Sequence, residues 1–232
     1  MYTPSALRML LIVICTHSLY VATSSPTRAP QQHERAAYRK RGPMDVANAP
    51  RVPIILAFQL FFFGISALEA SHIATTLWTQ SANNMVHSSL TVPTEFAVGT
   101  IMIVTGTCLR VVCYRTLGRH FTFDMSLQED HKLVTHGPYA IIRHPSYSGI
   151  LLVFIGVFLT QLGPSSHWNQ VGKWESFSGQ LIGSAYIALL SFMIVAVFGR
   201  INKEDVVLRE TFKDQWQQWA KRTPYRLIPF VY

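Results

Sequence analysis

The sequence predicts an all-α polytopic membrane protein with about five transmembrane helices, and three observations carry that prediction. Only 14% of residues are charged against 49% apolar, whereas a soluble domain has about 25% charged residues. Five apolar segments recur along the chain, at 7–23, 54–79, 95–114, 148–162 and 179–199. Lysine and arginine alternate between the gaps, with six in 24–53, none in 80–94, five in 110–147, one in 163–178 and seven in 200–232. Basic gaps that alternate with sparse ones place the former in the cytosol, which puts the N-terminus outside and the C-terminus inside.

The first segment admits two readings. Arg8, the run MLLIVIC and the small residues of VATSS resemble a signal peptide with its cleavage site. Cleavage would move the basic stretch 24–53 across the membrane and break the alternation, so 1–23 is read as a retained first span or signal anchor. Residues 24–53, rich in Pro, Ala and charge, read as a cytosolic basic linker, with Arg39, Lys40 and Arg41 setting topology or touching anionic headgroups. Residues 54–232 form the membrane domain.

Segment two carries Glu69 and His72 deep in an apolar run. Ionisable groups at such depth are often functional, but a helix ending near Ala70 would make both interfacial. Cys15, Cys108 and Cys113 lie in or beside apolar segments without a CxxC pair and read as buried thiols. Segment four, GILLVFIGVFLTQL, is short, which calls for tilt, a start within the preceding HPSY, or a tight hairpin with segment five. Segment five is uncharged and 21 residues long, about what a helix needs to cross the hydrocarbon core. Beyond it, Leu208, Phe212, Trp216 and Trp219 keep helical spacing, so 202–221 reads as an amphipathic helix against the membrane or the other spans.

The net charge of +8 would suit nucleic acid only if basic residues gathered on one soluble face with aromatics between them; here they fall in the gaps between spans. The polar chemistry collects instead between segments three and four, in FTFDMSLQEDHKLVTHGPYAIIRHPSYSG. Gly137 and Pro138 mark a tight turn. Tyr139, Arg143, His144 and Tyr147 are spaced so that a helical turn would gather several of them. His144 precedes Pro145 and should be extended, with Pro145 at the first turn of the next helix. Such a loop can line a pocket at the membrane edge, although a plain basic connector with interfacial aromatics has the same composition. His120, His131, His136 and His144 are separated by 11, 5 and 8 residues, which fits neither a helical histidine pair nor a Cys/His finger, so no metal is expected. After segment five, Arg200 and Glu204 stand four apart on one helix face, a functional pair or a surface ion pair worth little.

Two separated stretches, HKLVTHGPYAIIRHPSYSG at 131–149 and RINKEDVVL followed by RTPYRLIPF from 200 onward, resemble the isoprenylcysteine carboxyl methyltransferase family, within a wider group that includes membrane phospholipid methyltransferases. The resemblance covers the C-terminal half and implies a cytosolic loop that binds S-adenosylmethionine. Carried over position by position, it implies cofactor contacts from His131, Lys132, Leu133, Val134, Tyr139, His144, Pro145, Ser146, Tyr147 and Glu204, with Arg200 contacting the prenylated substrate. Arg200 and Glu204 are then the catalytic pair. A further family contact upstream of His131, within 124–128, does not align without a gap. Asp205 stands where the family often has a second glutamate, keeping the charge with a shorter reach.

The activity so implied is methyl esterification of the C-terminal prenylcysteine carboxylate of CaaX-processed proteins, in a multi-pass protein of the endoplasmic reticulum with its active site in the cytosol. The partners implied are prenylated cysteine in proteins or peptides and the lipid bilayer, with no nucleic acid. A phospholipid N-methyltransferase shares the cofactor loop but needs no carboxylate-binding arginine. A sterol reductase using NADPH has a similar RHPxYxG region but generally more spans, and a non-catalytic lipid-binding protein retaining the fold is a third alternative. No GxG follows a strand-like segment, so the soluble dinucleotide-type methyltransferase fold is not supported.

Overall fold

The computed structural model describes residues 4–25, 51–82, 92–118, 121 and 132–231. Most of the 24–53 linker, most of the 80–94 gap, His120 and His131 therefore lie outside the described residues. Among those described, every regular element is helical. The chain forms α1 (Pro4–Thr23), α2 (Arg51–Ala82), α3 (Thr94–Leu117), a 3₁₀ turn at Gly137–Ala140, α4 (Pro145–Gln161), the short α5 (His167–Gln170), a second 3₁₀ turn at Lys173–Glu175, and α6 (Phe177–Arg222).

All five apolar segments are helices, and α1, α2, α3 and α6 are each long and apolar enough to cross a membrane. The fourth, α4, starts at Pro145 inside HPSY rather than after it, and even so has only 17 residues, about 25 Å of rise, so it is shorter than the other four. Leu60, Ile101, Leu181 and Val195 are 63%, 64%, 63% and 68% exposed. An outer surface this apolar belongs in lipid rather than water, so the fold defines a multi-pass membrane protein.

The tightest helix pair is α3 against α4, and glycines set its spacing. Gly99 faces Gly156 and Gly106 faces Gly149, two contacts about two turns apart along antiparallel helices. A Cβ at Gly149 would stand 2.7 Å from the Gly106 carbonyl oxygen, and one at Gly99 2.8 Å from that of Gly156. Small residues that let backbones approach this closely are a means of helix association where lipid removes the hydrophobic drive. Around this pair lies the main core, with Phe58, Phe62, Leu19, Phe154, Val157 and Tyr186 all buried.

Buried polar groups tie α1 into the bundle at both ends. At one end Arg8 and Glu69 form a 2.7 Å ion pair with both side chains 3% exposed. Helix α2 therefore does not end near Ala70: it continues to Ala82, and Glu69 is an interior strut. At the other end Arg110, 4% exposed, donates from Nε to the Ala22 carbonyl at 2.8 Å and from Nη1 to the Ser146 carbonyl at 3.0 Å. One guanidinium so joins α1, α3 and the first turn of α4. Cys15 and Cys113 are buried, as expected, but Cys108 is exposed on the outer face of α3, because only part of a helix in lipid faces its neighbours.

The last span and the first part of the amphipathic stretch form one continuous helix as far as Lys213. From Phe177 to that residue α6 rises about 54 Å, well over the roughly 30 Å hydrocarbon thickness, so it must project beyond the membrane. The break comes later than expected, at Lys213, whose φ of 45° and ψ of −111° leave helical space. The stripe still packs across this break: Trp219 is buried with Cys113 and Tyr139, and Trp216 lies against the same cluster.

Candidate active site

The site is assembled where α6 leaves the bundle and meets the turn into α4. Gly137 opens that turn with φ of 60°, a conformation that favours glycine, and the 3₁₀ turn behind it buries Tyr139. His144 has φ −126° and ψ 58°, non-helical as the following proline requires. Pro145 then takes the first turn of α4, where its missing N–H costs nothing. Tyr147, two residues on, is presented toward α6.

Arg200 and Glu204, one turn apart on α6, converge on one atom. The Tyr147 hydroxyl donates to Glu204 Oε2 at 2.8 Å and accepts from Arg200 Nε at 3.2 Å. The Arg200 guanidinium also lies 5.9 Å from the centre of the Tyr147 ring. This is more than a surface ion pair, because a third, fixed group sets the geometry of both. Glu204 remains 37% exposed at its side chain, so an incoming ligand can reach it.

Asp205, next along the helix, approaches Nε2 of the His144 ring and is 6% exposed. Its Oδ2 accepts from Arg143 Nη1 at 3.0 Å and lies 3.4 Å from Arg226 Nε, while Oδ1 is 3.0 Å from His144 Nε2. Burial alone would raise the Asp205 pKa, but the His144 hydrogen bond and the charges of Arg143 and Arg226 outweigh it and hold the carboxyl below its ordinary value. Asp205 is thus ionised, hydrogen-bonded to Arg143 and His144 and ion-paired with Arg226.

The C-terminal tail closes the back of the turn. The Arg143 and His144 amides donate to the carbonyls of Tyr225 and Arg226, both at 2.9 Å. The Ser148 hydroxyl donates to the Leu227 carbonyl at 2.5 Å, and the Trp219 indole to the Tyr139 carbonyl at 3.0 Å. The RTPYRLIPF ending is therefore a strap over the loop.

The expected site residues separate into groups. Tyr147, His144, Glu204 and Arg200 come together. Tyr139, Leu133 and Val134 form a wedge with Cys113 and Trp219 beside them, where burial, then Cys113, pushes the Tyr139 hydroxyl far above its usual pKa. Pro145 is buried, and the Ser146 hydroxyl accepts from Arg110 Nη1 at 3.1 Å, on the bundle side. Lys132 is exposed, and His131 lies outside the described residues. Sequence reasoning missed Arg110, which looked like one more topological charge, and left Asp205 without a role. A separate cavity of about 190 Å³, lined by Leu68, His72, His167 and Trp168 among others, lies at the opposite end of the bundle and shares no residue with this site.

The fold and site define a multi-pass helical membrane protein with a cluster of charged side chains at the end of its last span. Residues 99–166, which run from α3 through the turn and past the end of α4, match the isoprenylcysteine carboxyl methyltransferase (ICMT) family. Among curated proteins, it is 41% identical over 136 residues to protein-S-isoprenylcysteine O-methyltransferase A of Arabidopsis thaliana, covering 57% of this chain and 58% of the relative. It is 28% identical over 190 residues to the Homo sapiens protein-S-isoprenylcysteine O-methyltransferase, covering 80% of this chain and 60% of the relative. A probable protein-S-isoprenylcysteine O-methyltransferase of Oryza sativa subsp. indica is 28% identical over 137 residues, 58% of this chain and 61% of the relative. The chain thus spans about three-fifths of the length of these relatives. No solved structure matches it significantly.

Proposed function

We propose that this chain methylates the C-terminal carboxylate of prenylated cysteine, with S-adenosylmethionine as methyl donor. The observation that carries the reading is the sharing of the Tyr147 hydroxyl by Arg200 and Glu204. It puts a cation able to fork onto a carboxylate one helical turn from an anion able to take an ammonium. The family match over 99–166 supports the same reading.

The residues fit the donor. Glu204 offers a partly exposed carboxylate to the amino-acid head, and the Tyr147 ring offers a π face to a sulfonium. His144, with the wedge of Leu133, Val134 and Tyr139, shapes the cradle, and Lys132, Pro145, Ser146 and His131 complete the set the family pattern assigns. When bound, S-adenosylmethionine supplies an electrophilic methyl group, so that the acceptor carboxylate forms a C–O bond as the C–S bond breaks and S-adenosylhomocysteine leaves.

Arg200 orients the acceptor. A terminal carboxyl, with a pKa of roughly 3.5, is already ionised at neutral pH and needs no general base. The chain's contribution is alignment and the exclusion of water from the attacking oxygen. The prenyl chain reaches the site sideways from the bilayer. With the basic gaps inside, residues 1–23 are a retained span, 24–53 a cytosolic linker and 54–232 the methyltransferase domain, in the endoplasmic reticulum membrane with the site facing the cytosol.

The test supplies membranes containing this protein with methyl-labelled S-adenosylmethionine and either S-farnesylcysteine carrying a blocked amine or phosphatidylethanolamine. Base-labile label on the prenylcysteine alone is the expected result. Base-stable label on the phospholipid would sink the reading in favour of N-methylation.

A further inference from the structure

We infer that Asp205 is a positioning residue that fixes the tautomer of His144, so that the other ring nitrogen becomes, with Glu204, a two-acceptor clamp for the ammonium of the methyl donor. The inference rests on the reading of the site as a cofactor cradle and goes beyond it, since nothing in the family pattern gives Asp205 a task.

Three observations carry it. Asp205 lies against two guanidinium groups, Arg143 at 3.0 Å and Arg226 at 3.4 Å, so its carboxylate is an acceptor only. The ring nitrogen facing it, His144 Nε2 at 3.0 Å, must then carry the hydrogen. In the neutral tautomer with its one N–H at Nε2, Nδ1 carries the lone pair; a ring bearing a hydrogen on both nitrogens would overturn the inference. That nitrogen stands 4.0 Å from Glu204 Oε2. Two acceptors at this separation repel each other mildly and suit a donor set between them. An ammonium has three N–H donors and can satisfy both, and the open side of Glu204 gives it an approach. Carboxylates that hold a histidine by one nitrogen to fix the use of the other are a general device.

Asn at 205 keeps the shape and reverses the chemistry. Its amide can donate to Nε2, which would move the ring proton to Nδ1 and point a donor at the ammonium. The measurement compares two ligands, S-adenosylhomocysteine and its deaminated analogue, for binding to purified wild-type and Asp205→Asn protein in lipid nanodiscs. Nitrogen-15 spectra of the His144 ring report the tautomer directly. The expected result is that Asp205→Asn weakens S-adenosylhomocysteine about tenfold or more, the size of an unmade charged hydrogen bond. It should leave the deaminated analogue unchanged and shift the His144 signals from an Nε2–H to an Nδ1–H pattern.

Equal weakening of both ligands would reduce Asp205 to a structural clamp and overturn the inference, as would an unchanged tautomer. Asp205→Glu, which keeps the acceptor, should restore part of the preference for the amino-bearing ligand; if Asp205→Asn fails to fold, the absence of that preference in the glutamate variant overturns the inference instead. Wild-type protein that binds neither ligand would refute the cofactor reading, whereas wild-type binding with an Nδ1–H ring would refute the role of Asp205 alone.

Discussion

Arg200→Ala should lower methyl transfer to prenylcysteine on the order of 10²- to 10³-fold while leaving affinity for the methyl donor within about threefold, the range expected when an aligning charge is lost at a reacting centre. The asymmetry follows from the geometry. Arg200 and Glu204 meet at the Tyr147 hydroxyl, at 3.2 Å on the Arg200 side and 2.8 Å on the other. Removing it takes away one of two partners of that hydroxyl and leaves Tyr147 still bonded to Glu204. Arg200→Lys should recover only part of the rate, because an ammonium cannot reproduce the planar fork. Turnover and donor affinity measured side by side check this; a variant that methylates as fast as wild type would remove Arg200 from the reaction.

The second large effect is expected far from the charged groups. Gly106→Leu should destabilise the fold by about 3 kcal/mol or more, at the upper end of overpacking costs. A Cβ there would strike the Gly149 carbonyl oxygen and crowd Leu152 and Val153. The struck atom is backbone, so no rotamer change relieves it, and α3 and α4 must move apart. That motion would pull Ser146 from Arg110, now 3.0 Å from its carbonyl, and with it the start of the turn that presents Tyr147. Gly64→Leu is the matched control, since its Cβ meets nothing within 4 Å. Thermal unfolding in detergent should show a large drop in Tm for Gly106→Leu and almost none for Gly64→Leu. Comparable drops in both would mean that helix spacing is not set at these glycines.

What the sequence made legible follows from the range of each interaction. The five helices were visible because membrane burial writes itself into composition over about twenty residues. The turn at Gly137 and the start at Pro145 were visible because their causes are local. The Asp205 cluster was not, because its partners Arg143, His144 and Arg226 belong to two other parts of the chain and none lies within a helical turn of it. Arg110 was counted among the basic residues of a gap, where it raised the total, although in the fold it is a buried strut. The break at Lys213 was also hidden. A non-glycine residue with positive φ leaves no mark in residue type, and the stripe from Leu208 to Trp219 keeps its spacing across it. The convergence of Arg200 and Glu204 was half legible: spacing put them on one face, and only the fold supplied Tyr147 between them.

The central claim is a division of labour in which the turn and Glu204 hold the methyl donor and Arg200 holds the acceptor carboxylate. Equilibrium binding of labelled S-adenosylmethionine to purified Glu204→Gln protein tests it most directly. The Glu204 carboxylate should contribute a charge-assisted hydrogen bond to the donor's ammonium, so its loss is expected to weaken binding by roughly 10- to 100-fold relative to wild type. Wild-type affinity in that variant would contradict the account.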